Sequence, residues 1–275
     1  MNRIETLGNS IIQHGPGSAR IYLMKISRAD MPGILKGLNE LAAENKYTKI
    51  FAKIPSLYES FFLDDGYVKE AWIKGFYNDL TDASFVSKFL SDKRELNSGR
   101  KETEKNLETA LKKELSADFI PAENYTFSKA SPEDSAEIAE VFKRVFETYP
   151  FPIHNKDYIK QTMKENIIYF KAVRDGKIAA VSSAETYSAW QAVEMTDFAT
   201  LPEHLGKKLA LNLLKKMEED MKVSNYKTAY TIARSLSAGM NITFAKAGYE
   251  FCGTLVNNTN ISGSIQNMNV WSRKL

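Results

Sequence analysis

From Ser131 to the C-terminus the sequence switches repeatedly between helical and strand periodicity, and that alternation constrains the fold more than any other feature. SPEDSAEIAEVFKRVFETY (131–149) reads as a helix, with Ser131 as N-cap, acidic residues in the first turn, and Ile138, Val141, Phe142 and Val145 on one face. Within 167–190, IIYFKAV and IAAVSSAETYSAW read as strands joined through the Asp-Gly turn of RDGK. AVEMTDFAT (192–200) predicts a third strand, and GKKLALNLLKKMEEDMK (206–222) an amphipathic helix with Leu209, Leu213, Leu214 and Met217 facing inward. YKTAYTIA then reads as a strand, SAGMNITFAKAG as a helix ending on Gly248, and YEFCGTLV and QNMNVWSR as closing strands. Helices interleaved with a hairpin and single strands predict an α/β (α+β) fold around a sheet of mixed direction.

A different texture precedes this region. DKRELNSGRKETEKNLETALKKELSA (92–117) is mostly charged and has no aromatic residue, which marks a linker; the spacing of Glu108 and Lys112 predicts that part of it is a solvated helix. The expected organisation is an N-terminal α/β domain over 1–91, a charged linker with helix over 92–122, and a C-terminal domain over 123–275. In the first of these, IFAKIPSLYESFFLDDGY (50–67) aligns without gaps to IARSLSAGMNITFAKAGY (232–249), placing Phe62 on Phe244, Gly66 on Gly248 and Tyr67 on Tyr249. The echo makes residues 1–90 a candidate reduced copy of the C-terminal fold. Nothing in it matches residues 201–210, so its expected task is packing or dimerisation, and a second copy of the chain is a candidate partner.

Several function classes are disfavoured by composition. With 43% apolar residues and a formal charge of +3, cations and anions interleaved, the chain lacks the basic stripe of a nucleic-acid binder. No run of 18 consecutive apolar residues occurs, and Glu5, His14 and Gly15 interrupt what a signal peptide would need. A single cysteine, Cys252, excludes an internal disulfide and fits a reducing cytoplasm; it lies in an apolar strand, as a packing residue would. His14, His154 and His204 have no ligand spacing, and no metal is expected.

LPEHLGKKLA (201–210) leads into the amphipathic helix. A helix start after a small residue presents unpaired N–H groups and the positive end of the helix dipole, which together can hold a phosphate. The order of the surrounding elements gives this weight. A strand ending TDFAT, then LPEHLGKKLALNLLKKME, then a strand and a helix ending FAKAGY, resembles the GNAT acetyltransferase superfamily over residues 125–275. More narrowly, ETYPFPI, EMTDFATLPEH, YTIARSLSAGMNITFAKAGY, GTLVNNTNISG and MNVW resemble the β-lysine N6-acetyltransferase family, and this likeness includes the N-terminal half.

The resemblance implies a mixed-direction GNAT-like sheet flanked by helices, acetyl-CoA as co-substrate, and a small-molecule amine as acceptor. It places the cofactor pyrophosphate at Leu205, Gly206, Lys207, Lys208, Leu209 and Ala210, and the pantetheine arm beside the backbone of Phe198, Ala199 and Thr200, whose N–H groups would polarise the thioester carbonyl. Asn241 is a further polar candidate for the cofactor. Two departures stand out: Lys208 replaces the second glycine of the usual Arg-Gly-x-Gly, and Phe244 occupies the place of a tyrosine acid. Thiolate protonation would then fall to Tyr249, Ser237 or solvent.

An alkyl amine with a pKa around 10.4 must lose a proton before it attacks. Glu194 and Asp197 are the candidate bases. Three apart on a strand, they are expected on opposite faces, with one in the cleft. The resemblance favours Glu194, leaving Asp197 to bind the amine. Tyr149 and Phe151, in the stiff ETYPFPIHNKDYI loop, are candidates for a wall over the substrate, and Arg234 for the donor to its carboxylate. The alternatives are the same chemistry on another small diamine or polyamine, and a non-catalytic acyl-CoA-binding module, which Lys208 and Phe244 would favour.

Overall fold

A computed structural model of the chain describes residues 2–97, 99–115 and 122–275. The first half carries β1 (Arg3–Leu7), β2 (Ser10–Gly15), β3 (Arg20–Lys25), α1 (Ile34–Glu44), β4 (Lys49–Pro55), α2 (Glu59–Asp64), β5 (Val68–Tyr77) and β6 (Thr81–Phe89). Two connecting helices follow, α3 (Asp92–Glu95) and α4 (Arg100–Leu111). The second half comprises β7 (Thr126–Lys129), α5 (Ser135–Val145), α6 (Lys156–Lys164), β8 (Ile167–Arg174), β9 (Lys177–Tyr187), β10 (Ala192–Thr200), α7 (Leu209–Val223), β11 (Thr228–Arg234), α8 (Ala238–Lys246), β12 (Glu250–Ile261) and β13 (Ser264–Lys274).

The expected mixed-direction sheet flanked by helices is present. Leu209, Leu213, Leu214 and Met217 of α7 pack with Phe170, Val193 and Trp271 on one face of the second half, while Ile138, Val141 and Phe142 of α5 pack with Tyr169 and Val181 on the other. Burying each such side chain contributes about 1.5–3 kcal/mol, so both helices are fixed by their apolar stripes. The α5 helix stops at Val145, short of the expected 149, because Phe146 is already extended and Pro150 and Pro152 bar continuation. Strand β7 was not expected: TFSK is mostly exposed and carries no strand alternation, and it forms only by adding an edge to β8.

All the strands join one sheet in the order β1-β2-β3-β4-β6-β5-β12-β13-β11-β10-β9-β8-β7. The run β1-β2-β3-β4-β6-β5 has the same connectivity as β8-β9-β10-β11-β13-β12, with the parallel pair β3/β4 corresponding to β10/β11. The 50–67 and 232–249 segments therefore occupy equivalent places, β4-α2 and β11-α8. The two runs meet where β12 pairs with β5 at Gly253 and Ala71, over a shared core that includes Phe51, Phe76 and Phe85 from one side and Tyr230, Leu255 and Val270 from the other.

The described residues of the 92–122 segment do more than connect the halves. Arg94 is buried and donates to the Asn257 and Ser18 carbonyls at 2.6 and 2.9 Å and to Thr48 Oγ1 at 3.0 Å, tying the two halves together. Helix α4 buries Thr103 and Ala110, and its ion pair is Arg100 with Glu104 at 2.6 Å. Residues 116–121 of the expected linker lie outside the described residues.

Gly253 makes the seam possible. Its φ is +141°, and a Cβ there would stand 2.2 Å from the Glu70 carbonyl oxygen and 2.7 Å from Ala71 Cα. Both obstacles are backbone or anchored to it, so Gly253→Ala is expected to lower stability by about 2–4 kcal/mol. Chemical denaturation would read this as a lower midpoint; an unchanged midpoint would show that the seam yields.

Candidate active site

Strands β10 and β11 are paired only from Ala192–Thr228 to Glu194–Tyr230, and then separate. The cause lies in β10, where the register slips between Thr196 and Ala199 and Asp197 takes a left-handed φ of +54°. A cavity of about 330 Å³ opens at this splay. The bulge also corrects an expectation: Glu194 and Asp197 do not face opposite ways, and both line the cavity, because the extra residue breaks strand alternation.

Glu185 on β9, Glu194 on β10 and Tyr230 on β11 stand side by side across the sheet. Tyr230 donates to Glu194 Oε2 at 2.7 Å, and Tyr187 donates to Glu185 Oε1 at 2.6 Å. Lys53, from β4 of the other half, donates to Tyr230 Oη at 2.6 Å. Its ammonium is buried among aromatic rings, 4.4 Å from the Tyr187 centroid, 4.9 Å from Tyr230, and 5.5 Å from both Phe76 and Trp190. Burial pushes the Glu194 carboxyl up to about 7; Lys53 opposes that rise and Glu185 adds to it. Glu185 is raised too, by burial first, with Lys53 again opposing.

Asp197 is held differently. Ser183 donates to its Oδ2 at 2.5 Å and Tyr149 to its Oδ1. Burial raises its pKa while these hydroxyls pull it down. Tyr149 and Phe151 line the cavity, as does Arg234, whose Nη1 donates to Ser262 Oγ at 2.9 Å and whose guanidinium lies 5.9 Å from the Phe146 centroid.

Phe198 lines the cavity and meets Phe244 edge to face at 5.6 Å. Ala199 turns its side chain into the core beneath α5, and both Ala199 and Thr200 are paired with β9 and stand outside the cavity lining. Ser237 lines the cavity, whereas Tyr249 belongs to the core beneath α7 and does not. Among the candidate acids, only Ser237 is thus placed at the cavity. Asn241 is a correction. Its amide donates to the Arg234 and Ser237 carbonyls at 2.9 and 2.8 Å, and its Oδ1 accepts from Asn269 and Trp271 at 2.9 and 3.0 Å. With its hydrogen-bonding capacity spent in the core, it has nothing left for a cofactor.

The segment Leu205, Gly206, Lys207, Lys208, Leu209 and Ala210 lies outside this cavity lining; the first four form the approach to α7 and the last two open it. Gly206 has φ +76° with nothing within 4 Å of a would-be Cβ, and Lys208 is left-handed at φ +58°, the conformation a glycine would favour. The helical ladder starts with the Asn212 N–H on the Lys208 carbonyl, leaving the N–H groups of 209–211 outside it. No acidic residue stands in this first turn.

The first half also supplies cavity wall: Arg20, Tyr22, Met24 and Phe51 face it. Beyond the packing or dimerisation expected of this half, its β3/β4 surface thus borders the cavity, joined to the second half through the β5/β12 seam. Lys53 carried a legible signal, a lone lysine inside the apolar run IFAKIP. Arg20, Glu185 and Tyr230 carried none. Among the described residues, no helix is long and apolar enough to cross a membrane.

A β-lysine N6-acetyltransferase of Methanococcus maripaludis is 39% identical to the chain over 271 residues, covering 98% of each. One from Methanosarcina mazei is 28% identical over 88% of this chain and 97% of its own. Among solved structures, an N-acetyltransferase from Staphylococcus aureus Mu50 superposes with a TM-score of 0.49 at 16% identity, covering 55% of this chain and 98% of that one. No protein-family model matches the chain.

Proposed function

The chain belongs to the β-lysine N6-acetyltransferase family, and on that footing we propose that it transfers acetyl from acetyl-CoA to the ε-amine of β-lysine. The observation that carries this reading is the row Glu185–Glu194–Tyr230 at the strand splay, with Glu194 at about 7. A base poised near neutral pH can take a proton from an ammonium and release it again. We assign that role to Glu194, which accepts one hydroxyl, over Asp197, whose oxygens are engaged by Ser183 and Tyr149. Asp197, Tyr149 and Phe151 then shape the amine subsite. The backbone of Phe198, Ala199 and Thr200 lies along the splay, where N–H groups would polarise a carbonyl.

The fit to acetyl-CoA rests on the start of α7. Free N–H groups at 209–211, the open Gly206 and the cations of Lys207 and Lys208 suit a pyrophosphate, and the left-handed Lys208 keeps the backbone path of a glycine. Phe244 cannot act as acid, so the thiolate proton comes from Ser237 or solvent. The proposed organisation assigns residues 123–275 to the acetyltransferase unit and 1–91 to an α/β unit derived from the same fold, joined by 92–122.

β-Lysine carries two ammonium groups and one carboxylate; four carboxylates line the cavity, Glu165, Glu185, Glu194 and Asp197, and suit the ammonium groups. Acetylation leaves a product of zero net charge, suited to accumulation in the cytoplasm as a compatible solute. Thiol release from acetyl-CoA with β-lysine, α-lysine, spermidine and no amine tests the assignment. Release far above the rest with β-lysine is expected. A preference for spermidine would move the substrate to the polyamines, and acetyl-CoA binding without release for any amine would favour a non-catalytic module.

For the loop, Gly206→Asp places a carboxylate beside the proposed pyrophosphate seat. We expect the KM for acetyl-CoA to rise by at least about tenfold with the amine KM little changed. An unchanged acetyl-CoA KM would remove the phosphate role from this loop.

A further inference from the structure

Arg20 is the more deeply buried of the two arginines that line the cavity. It lies on β3, 5% exposed, and pairs across the parallel ladder with Lys49, so a second buried cation is its neighbour. Nη1 donates to the Asn258 carbonyl at 2.8 Å, Nε is buried with no hydrogen-bond partner, and among the described residues Arg20 has no ion pair. Its guanidinium sits 5.4 Å from the Tyr22 centroid and 5.6 Å from that of Phe51. The nearby carboxylate that would neutralise it, Glu70, is spent: Lys49 holds it at 2.8 Å, Ser87 donates to it, and the Val256 N–H donates to it at 2.6 Å. Arg94, the third buried cation here, uses its own donors on carbonyls and a hydroxyl across the seam.

A buried charge without a partner is costly and persists where something else compensates it. Arg20 lines the same cavity as Glu165, Glu185, Glu194 and Asp197, so a cation from the first half shares the cavity with carboxylates from the second. We propose that Arg20 binds the carboxylate of the amino-acid substrate, making the first half a specificity element of the active site. This rests on the acetyltransferase reading above and adds to it a source of discrimination between amino acids and simple diamines. Guanidinium suits this task because it is permanently charged and offers a planar fork of donors. Arg234 also lines the cavity but is only half-buried, so it carries a smaller desolvation cost for a substrate carboxylate to offset, and its loss is expected to cost less.

The test compares β-lysine with 1,4-diaminopentane, the same diamine without its carboxylate, by calorimetric binding and by turnover, in wild type, Arg20→Met, Arg20→Lys and Arg234→Met. Arg20→Met is expected to weaken β-lysine binding by about 10–100-fold, to leave 1,4-diaminopentane within about twofold, and to leave the acetyl-CoA KM unchanged. Arg20→Lys, which keeps the charge and guards against a folding defect, should recover part of the loss. Equal losses for both amines, or a loss confined to Arg234→Met, would overturn the proposal. A binding difference confined to β-lysine without acetyl transfer to it would overturn the reaction assignment while upholding carboxylate recognition by Arg20.

Discussion

Glu194→Gln is expected to lower kcat/KM for acetyl transfer by about 10²–10⁴-fold and at the same time to make the protein harder to unfold at alkaline pH. The first effect follows from losing the group proposed to take the amine proton. The second follows from linkage. In the unfolded chain the carboxyl titrates near about 4.3, whereas in the fold burial raises it to about 7. The folded protein therefore holds this proton more tightly. The resulting stabilisation is complete below the unfolded value and is lost as pH climbs through about 7. Glutamine stays neutral throughout, so the Tm advantage of the variant should be small below about pH 4, grow between about pH 4 and 7, and level off above about pH 8. A Tm difference that does not change with pH would mean that Glu194 is not buried at its ionisation cost. Retained kcat/KM would transfer the base role elsewhere.

Lys53→Met is expected to move the acidic limb of the kcat/KM profile upward by about one pH unit, cutting activity about five- to tenfold at pH 7 with recovery at higher pH. Lys53 comes from the first half, yet it donates to Tyr230, which donates to Glu194. Its charge holds the Glu194 carboxyl below where burial and Glu185 would put it. Methionine keeps the stem volume among the Tyr187, Tyr230, Phe76 and Trp190 rings and removes only the cation. A general loss of activity at every pH, with the limb unmoved, would indicate a packing role for Lys53. Thermal stability should hold, because a buried ammonium is itself expensive to keep charged.

The sequence displayed the second half of the fold well and the site only in part, for reasons that can be assigned residue by residue. Helices α5, α7 and α8 and strands β8 to β11 are each specified by a local period and a local stop signal, so they could be read directly. Strand β7 could not, since its few exposed residues become a strand only through pairing with β8. Glu194 could be placed on its strand because that strand is local, but the orientation of Asp197 could not. A bulge with φ +54° at a non-glycine residue leaves no mark in the residue order.

Asn241 was misread because its partners, Asn269 and Trp271, are supplied by β13. Polar residues on a helix look alike in sequence whether they serve a ligand or a core network. The contribution of Arg20 and Tyr22 to the site was hidden for the same reason on a larger scale. It depends on the seam at Gly253 and Ala71, which brings together residues more than half the chain apart. What the sequence did contain was the echo of 50–67 in 232–249, now seen as two segments at equivalent positions of two similarly connected strand runs.

The central claim is that one cavity, shared by both halves, holds β-lysine so that its terminal amine meets Glu194. The most direct measurement is the proton–carbon NMR spectrum of the product formed from β-lysine and carbonyl-labelled acetyl-CoA. The account predicts a single acetylated species, with the label correlated to the protons of the terminal methylene and the amine beside the carboxylate left free. Label at the other amine, a mixture of both positions, or no labelled product would contradict it.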